Sequence, residues 1–149
     1  MAALLTIDAR YYLASGIGTY LQNVLPALPE RLSDINIRLH LLIRPGDEEI
    51  IKQDIPDAGR TTLRSMPLSM SEQRELPRKV PSATELLWIP HLNVPLLYPG
   101  PFFITLHDLF IREPGGAPLP NLYSRLTLAR AARRARAVLC DSAFTRDRW

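Results

Sequence analysis

The chain has 149 residues, 46% of them hydrophobic and 22% charged, with a net charge of +3 when histidine is neutral. That is the size of one domain with material for a sizeable core, and it excludes a disordered chain. A single cysteine, Cys140, excludes an internal disulfide and a cysteine-rich metal site, and fits a reducing cytoplasm. The basic excess is mild and shows no cluster interleaved with aromatics, so it gives no ground for nucleic-acid binding.

The opening Met1–Leu5 lacks a basic leader region, and its apolar run stops at Ile7 before Asp8, which predicts neither a signal peptide nor a membrane span. Ala3–Ile7 is read as the first strand. From Ile17 the apolar residues Ile17, Leu21, Val24, Leu25 and Leu28 recur on one helical face. Pro26 falls inside that pattern and should kink or shorten the helix, because an interior proline costs about 3 kcal/mol. Ile37–Ile43 alternates as a strand, Arg44–Asp47 is a turn, and Glu48–Gln53 makes a short helix. Thr61–Met66 is a weak strand, and Ser69–Val80 is a short helix or mobile loop interrupted by Pro77. Glu85–Ile89 and Phe102–Leu106 are apolar and β-prone, as buried strands are. Asn121–Ala135 is helical, Ala137–Cys140 is a last strand, and Ser142 or Asp141 caps a helix that begins at the end of the chain. That late helix start suggests a fragment of something longer. Strands and helices alternating at this spacing predict a Rossmann-like, doubly wound α/β domain with a mostly parallel sheet.

In such a sheet, ligands bind at the carboxyl ends of strands where the strand order reverses. Gly16 and Gly18 fall there, before the first helix, where glycine permits close backbone approach and the helix start offers N–H groups to a phosphate. The alternative is a tight turn whose glycines only let helix pack on strand. A dinucleotide fingerprint fails at Leu21, and no lysine completes a phosphate loop of the nucleotide triphosphatase kind. His91 and His107 each follow a strand and share that rim, whereas His40 lies mid-strand and reads as structural. The spacing of His91, His107 and Asp108 would allow a metal site, but no H-x-x-x-H motif or adjacent carboxylate pair supports one. No G-x-S-x-G nucleophile motif occurs, and Cys140 reads as a small buried hydrophobe.

Four stretches carry a resemblance: "IDAR…SGIGTYLQNVLPAL", "WIPHLNVP", "FFITLHDL" and "ARAVLCDSAFTRD". In that order they resemble the N-terminal domain of GT-B glycosyltransferases, above all the retaining family 4 (group 1), mannosyltransferase-like enzymes of bacterial polysaccharide assembly. The resemblance implies a nucleotide-sugar donor, a saccharide or lipid-linked acceptor, and no bound metal or other cofactor. It assigns Gly16, Ile17, Gly18 and Thr19 to a loop facing the donor diphosphate, and His107 to the transferred sugar as the catalytic residue. His91 and Asn93 match the acceptor side of the cleft, with Asp8, Arg10, Tyr12 and Asp108 as further cleft residues and Ser142 as a structural cap. It also implies a C-terminal donor-binding domain, absent from these 149 residues, without which the chain is expected to be inactive. The alternative is a stand-alone, non-catalytic α/β module that binds a phosphate ligand or a protein partner. Arg125, Arg130, Arg133, Arg134 and Arg136 are read as a solvated helix face, with contact to anionic lipid as the other reading. The expected location is cytoplasmic, with peripheral contact at the inner face of the membrane.

Overall fold

The computed structural model describes residues 2–14, 16–67, 69–107 and 121–149. They form a six-stranded sheet in the order β3-β2-β1-β4-β5-β6, with every neighbouring pair parallel. The strands are β1 (Ala3–Asp8), β2 (Ile37–Ile43), β3 (Gly59–Thr62), β4 (Leu86–Ile89), β5 (Phe102–Leu106) and β6 (Val138–Cys140). The helices are α1 (Ile17–Val24), α2 (Leu28–Asp34), α3 (Glu48–Asp54), α4 (Glu72–Lys79), α5 (Asn121–Arg134) and α6 (Ala143–Arg148).

Alternate residues of a strand face opposite sides of the sheet, and this pleat divides the core in two. Ile7, Leu39, Leu41, Ile43 and Trp88 face one side, where they meet Leu21 of α1, Leu25 and Ile51 of α3. Leu42, Leu87, Ile89, Phe102 and Ile104 face the other, against Leu76 of α4 and Ala131 of α5. Helices therefore cover both faces, as a parallel sheet requires, and the fold is Rossmann-like and doubly wound.

Local departures from the sequence reading have local causes. The helical pattern from Ile17 to Leu28 is broken at Val24 by a 3-10 turn, Leu25–Ala27, with Pro26 in its first positions; α2 restarts with Pro29 in its first turn. Proline lacks the N–H an interior turn needs but fits a helix start, so one interrupted stripe becomes two helices. The third strand is Gly59–Thr62, not Thr61–Met66. It pairs with β2 from His40 opposite Gly59 to Ile43 opposite Thr62, and there the partner strand runs out. Beyond it, the amides of Arg64 and Ser65 donate to the Glu75 carboxylate instead. Residues 72–79 are helical despite Pro77.

Cys140 is half-exposed, which corrects the expectation of a buried hydrophobe. Partial burial and the neighbouring Asp141 charge push its thiol up, away from thiolate chemistry. Ser142 does cap α6, its Oγ accepting the Thr145 amide at 3.1 Å. His40 is structural: its Nε2 meets Thr61 Oγ1 at 2.9 Å, and its ring lies where a Cβ on Gly59 would be. In the basic helix, Arg130 donates to the Tyr98 carbonyl and Arg134 to that of Pro99, so two of the arginines brace the β4–β5 connection. The side chain of Arg125 lies outside the described residues. Among the described residues no helix is long and apolar enough to cross a membrane.

Candidate functional site

The strand order reverses between β1 and β4, so their carboxyl ends mark the rim where this fold exposes a crevice. The first feature of that rim is a buried ionic network. Asp8 ends β1, and the chain turns so that Arg10 folds back over it. Arg10 Nε donates to Asp8 Oδ1 at 2.8 Å and Nη2 to Oδ2 at 2.6 Å. The same Nη2 also donates to Oε1 of Glu72, in the first turn of α4. Asn93 Nδ2 reaches Glu72 Oε2 at 2.7 Å, and His91 Nε2 lies 3.1 Å from Asp8 Oδ2. The Asp8 and Arg10 side chains are 0% exposed, as is that of Glu72.

Two buried carboxylates would not tolerate each other without a cation between them, and the planar guanidinium supplies donors in two directions. Burial works to raise the Asp8 pKa. The Arg10 charge and hydrogen bond, with the hydrogen bond from His91, outweigh it and hold the carboxyl well below the usual range. Burial likewise works against the charged form of Arg10, but the two carboxylates drive its pKa further up. The tautomer of His91 follows from its partners. Its Nδ1 accepts the Asn93 backbone N–H at 3.1 Å, so the ring proton sits on Nε2 and is donated to Asp8. Tyr11 packs edge-on against the same ring at 5.0 Å and lies under the Arg44 guanidinium.

The glycine loop is resolved into two different requirements. Gly16 has φ +66 at the N-cap of α1, a conformation that L side chains rarely adopt, and a Cβ there would meet nothing within 4 Å. A Cβ on Gly18 would lie 2.7 Å from the carbonyl oxygens of both Tyr11 and Tyr12. The chain's own β1–α1 connection therefore occupies the space that Gly18 leaves. Gly16 and Thr19 are exposed at the start of α1, with Ile17 half-buried.

The second feature is at the end of β5. His107 Nδ1 lies 3.2 Å from Asp141 Oδ2, at the end of β6, and the ring meets Tyr20 of α1 edge-on at 4.8 Å. Tyr20 sits one turn beyond Gly16 and also packs on Trp88 at 6.2 Å. The start of α1 and His107 thus belong to one stretch of the rim. His107 Nε2 is covered and has no partner among the described residues.

Of the residues singled out by sequence, the fold joins Asp8, Arg10, His91 and Asn93 in one network. It places Gly16–Thr19 near His107 through Tyr20. Tyr12 meets Gly18 only through its backbone carbonyl; its side chain joins neither group and is buried in the core below α1, its hydroxyl donating to Asp54 Oδ2 at 2.8 Å. Asp108 lies outside the described residues. Sequence reasoning missed Glu72 and Asp141. No local signal marks Glu72, which stands in a polar stretch far along the chain. Asp141 had one: β5 and β6 were both read as strands, and a residue just past β6 reaches the same rim as His107.

Among the described residues, no three His, Cys, Asp or Glu side chains gather as a metal ion would need, and Arg10 fills the space between Asp8 and Glu72. No family model and no curated protein matches the chain.

Proposed function

We propose that this chain is the N-terminal, acceptor-side domain of a retaining GT-B glycosyltransferase. The parent enzyme would move a sugar from a nucleotide-sugar donor to a saccharide or lipid-linked acceptor during assembly of cell-surface polysaccharide. One observation carries the reading: Tyr20 packs against His107, which puts the exposed start of α1 and a histidine at a strand end on the same rim. The order of the four motifs that resemble this family supports it.

In the proposed reaction the bond to the diphosphate breaks and the acceptor hydroxyl attacks the anomeric carbon from the same face, which retains the configuration, its proton passing to the departing phosphate oxygen. Negative charge grows on the departing oxygen, and the N–H groups at the start of α1 stabilise it with no reorganisation. Gly16 gives the backbone its approach there. His107 orients a sugar hydroxyl, and the Asp8–Arg10–Glu72–His91–Asn93 network holds the acceptor side of the rim rigid. A second domain supplies most donor contacts and closes over the site to exclude water. The enzyme works on the cytoplasmic side, in peripheral contact with the membrane that carries the acceptor.

The test is a titration of the isotope-labelled chain with nucleoside diphosphate sugars, followed by amide NMR. Shifts should concentrate at Gly16, Ile17, Thr19 and His107, with no sugar transfer by the chain alone. Shifts that bypass these residues would overturn the reading. Equal responses to inorganic phosphate and to every nucleotide sugar would favour a phosphate-binding module. Sugar transfer by the chain alone would refute the need for a second domain.

A further inference from the structure

Parallel pairing sets Leu106 opposite Cys140, so the next residues, His107 and Asp141, leave the sheet side by side at its carboxyl rim. An ionised carboxylate can only accept a hydrogen bond, so across the 3.2 Å contact with Asp141 Oδ2 the proton must sit on His107 Nδ1. The ring is further held edge-on by Tyr20, and the His107 carbonyl accepts from Thr145 Oγ1 at 3.3 Å. In the neutral ring Nε2, on the opposite side, is then the lone-pair nitrogen, and it is covered and without a partner among the described residues. A covered polar atom in that state costs desolvation free energy, which a hydroxyl donor returns. His91 is set the other way round, accepting at Nδ1 and donating from Nε2, with both nitrogens used inside the protein.

We propose that Asp141 is a positioning residue for His107: it fixes the Nδ1–H tautomer and so keeps Nε2 as the acceptor for a hydroxyl group of the sugar substrate. A lone pair at Nε2 selects a donor, so it suits a sugar hydroxyl and disfavours a phosphate oxygen. The tautomer follows from the geometry of this chain. The identity of the hydroxyl rests on the transferase reading.

Nitrogen NMR of the imidazole side chains separates the two parts. At alkaline pH, wild-type His107 should give a protonated-type resonance at Nδ1 and a lone-pair-type resonance at Nε2. Asp141→Ala should move the proton to Nε2 in most molecules, while Asp141→Glu should retain the wild-type pattern and His91 should be unaffected in both. A wild-type ring protonated at Nε2, or an Asp141→Ala ring that keeps Nδ1–H, would overturn the role of Asp141. A nucleoside diphosphate sugar or an oligosaccharide acceptor should then shift His107 Nε2, and inorganic phosphate should not. If the amides of Gly16–Thr19 respond while Nε2 stays still, the hydroxyl contact is refuted and the transferase reading stands. If the tautomers behave as expected and no sugar ligand moves either group, the transferase reading falls together with the hydroxyl contact, and the control of the tautomer by Asp141 survives alone.

Discussion

Two histidines stand at the carboxyl ends of neighbouring strands, β4 and β5, and their surroundings differ in almost every respect. His91 is 6% exposed, with both ring nitrogens engaged and Asp8, Arg10, Glu72 and Asn93 around it. The His107 side chain is 20% exposed, holds one carboxylate that is itself 37% exposed, and leaves its second nitrogen unpaired among the described residues. The same residue type at the same level of the sheet is thus committed to structure at one strand end and available at the other. Position on the rim nominates a residue. Whether its hydrogen bonds are already spent decides what it can do.

The strongest way to break this contrast is to remove the cation from the committed end. Arg10→Met keeps much of the volume but leaves Asp8 and Glu72 buried with no guanidinium between them. The expected loss is about 3–5 kcal/mol in urea unfolding, the cost of leaving a buried charge uncompensated. A variant as stable as the wild type would mean that the network contributes rigidity to no part of the rim.

A second test uses acid. The folded state holds the Asp8 pKa below its ordinary value. Its contribution is therefore complete above the pKa of the unfolded chain, about 4, and is lost as pH falls below it, because only the unfolded chain then takes up the proton. Wild-type stability should fall steeply on that side. Asp8→Asn should be less stable at neutral pH and should lose most of that slope. Parallel acid limbs in the two proteins would contradict the assignment.

The smallest effects sharpen the comparison most directly. His91→Ala takes one donor from Asp8, which keeps both bonds from Arg10, and leaves the Asn93 amide as the one buried group without its acceptor, at about 1–3 kcal/mol. His107→Ala removes a contact to a partly exposed carboxylate and should change stability by about half a kcal/mol or less. Thermal unfolding of the pair measures both. Equal losses would erase the distinction between a committed and an available histidine.

Much of this protein was legible in the order of its residues. Strands such as Ile37–Ile43 declared themselves because the period of two in the pleat is written directly into the alternation of apolar side chains. The Ser142 cap was readable for a similar reason, since its hydrogen bond runs to a residue three positions away. So was the rim itself: once β4 and β5 are strands of a parallel sheet, the residues after them must emerge at one end. The glycines were readable only as a pair. Their separate causes, a positive φ at Gly16 and the carbonyls of Tyr11 and Tyr12 against Gly18, appear only when the β1–α1 connection is traced in space.

Sequence alone therefore determined the class of fold and the carboxyl ends of β2, β4, β5 and β6, and nominated side chains there without Glu72 or Asp141, because these depend on local periodicity and on the connectivity of a parallel sheet. Tertiary structure decided which of those side chains meet. It brought Glu72 to Arg10 across 62 positions and Asp141 to His107 across 34. It also turned Tyr12 away to Asp54. Such pairings are set by the packing of α4 on the sheet and the register of β5 with β6. No short-range pattern records them, because a charge buried in a protein interior is stabilised by whatever the fold places within hydrogen-bond distance.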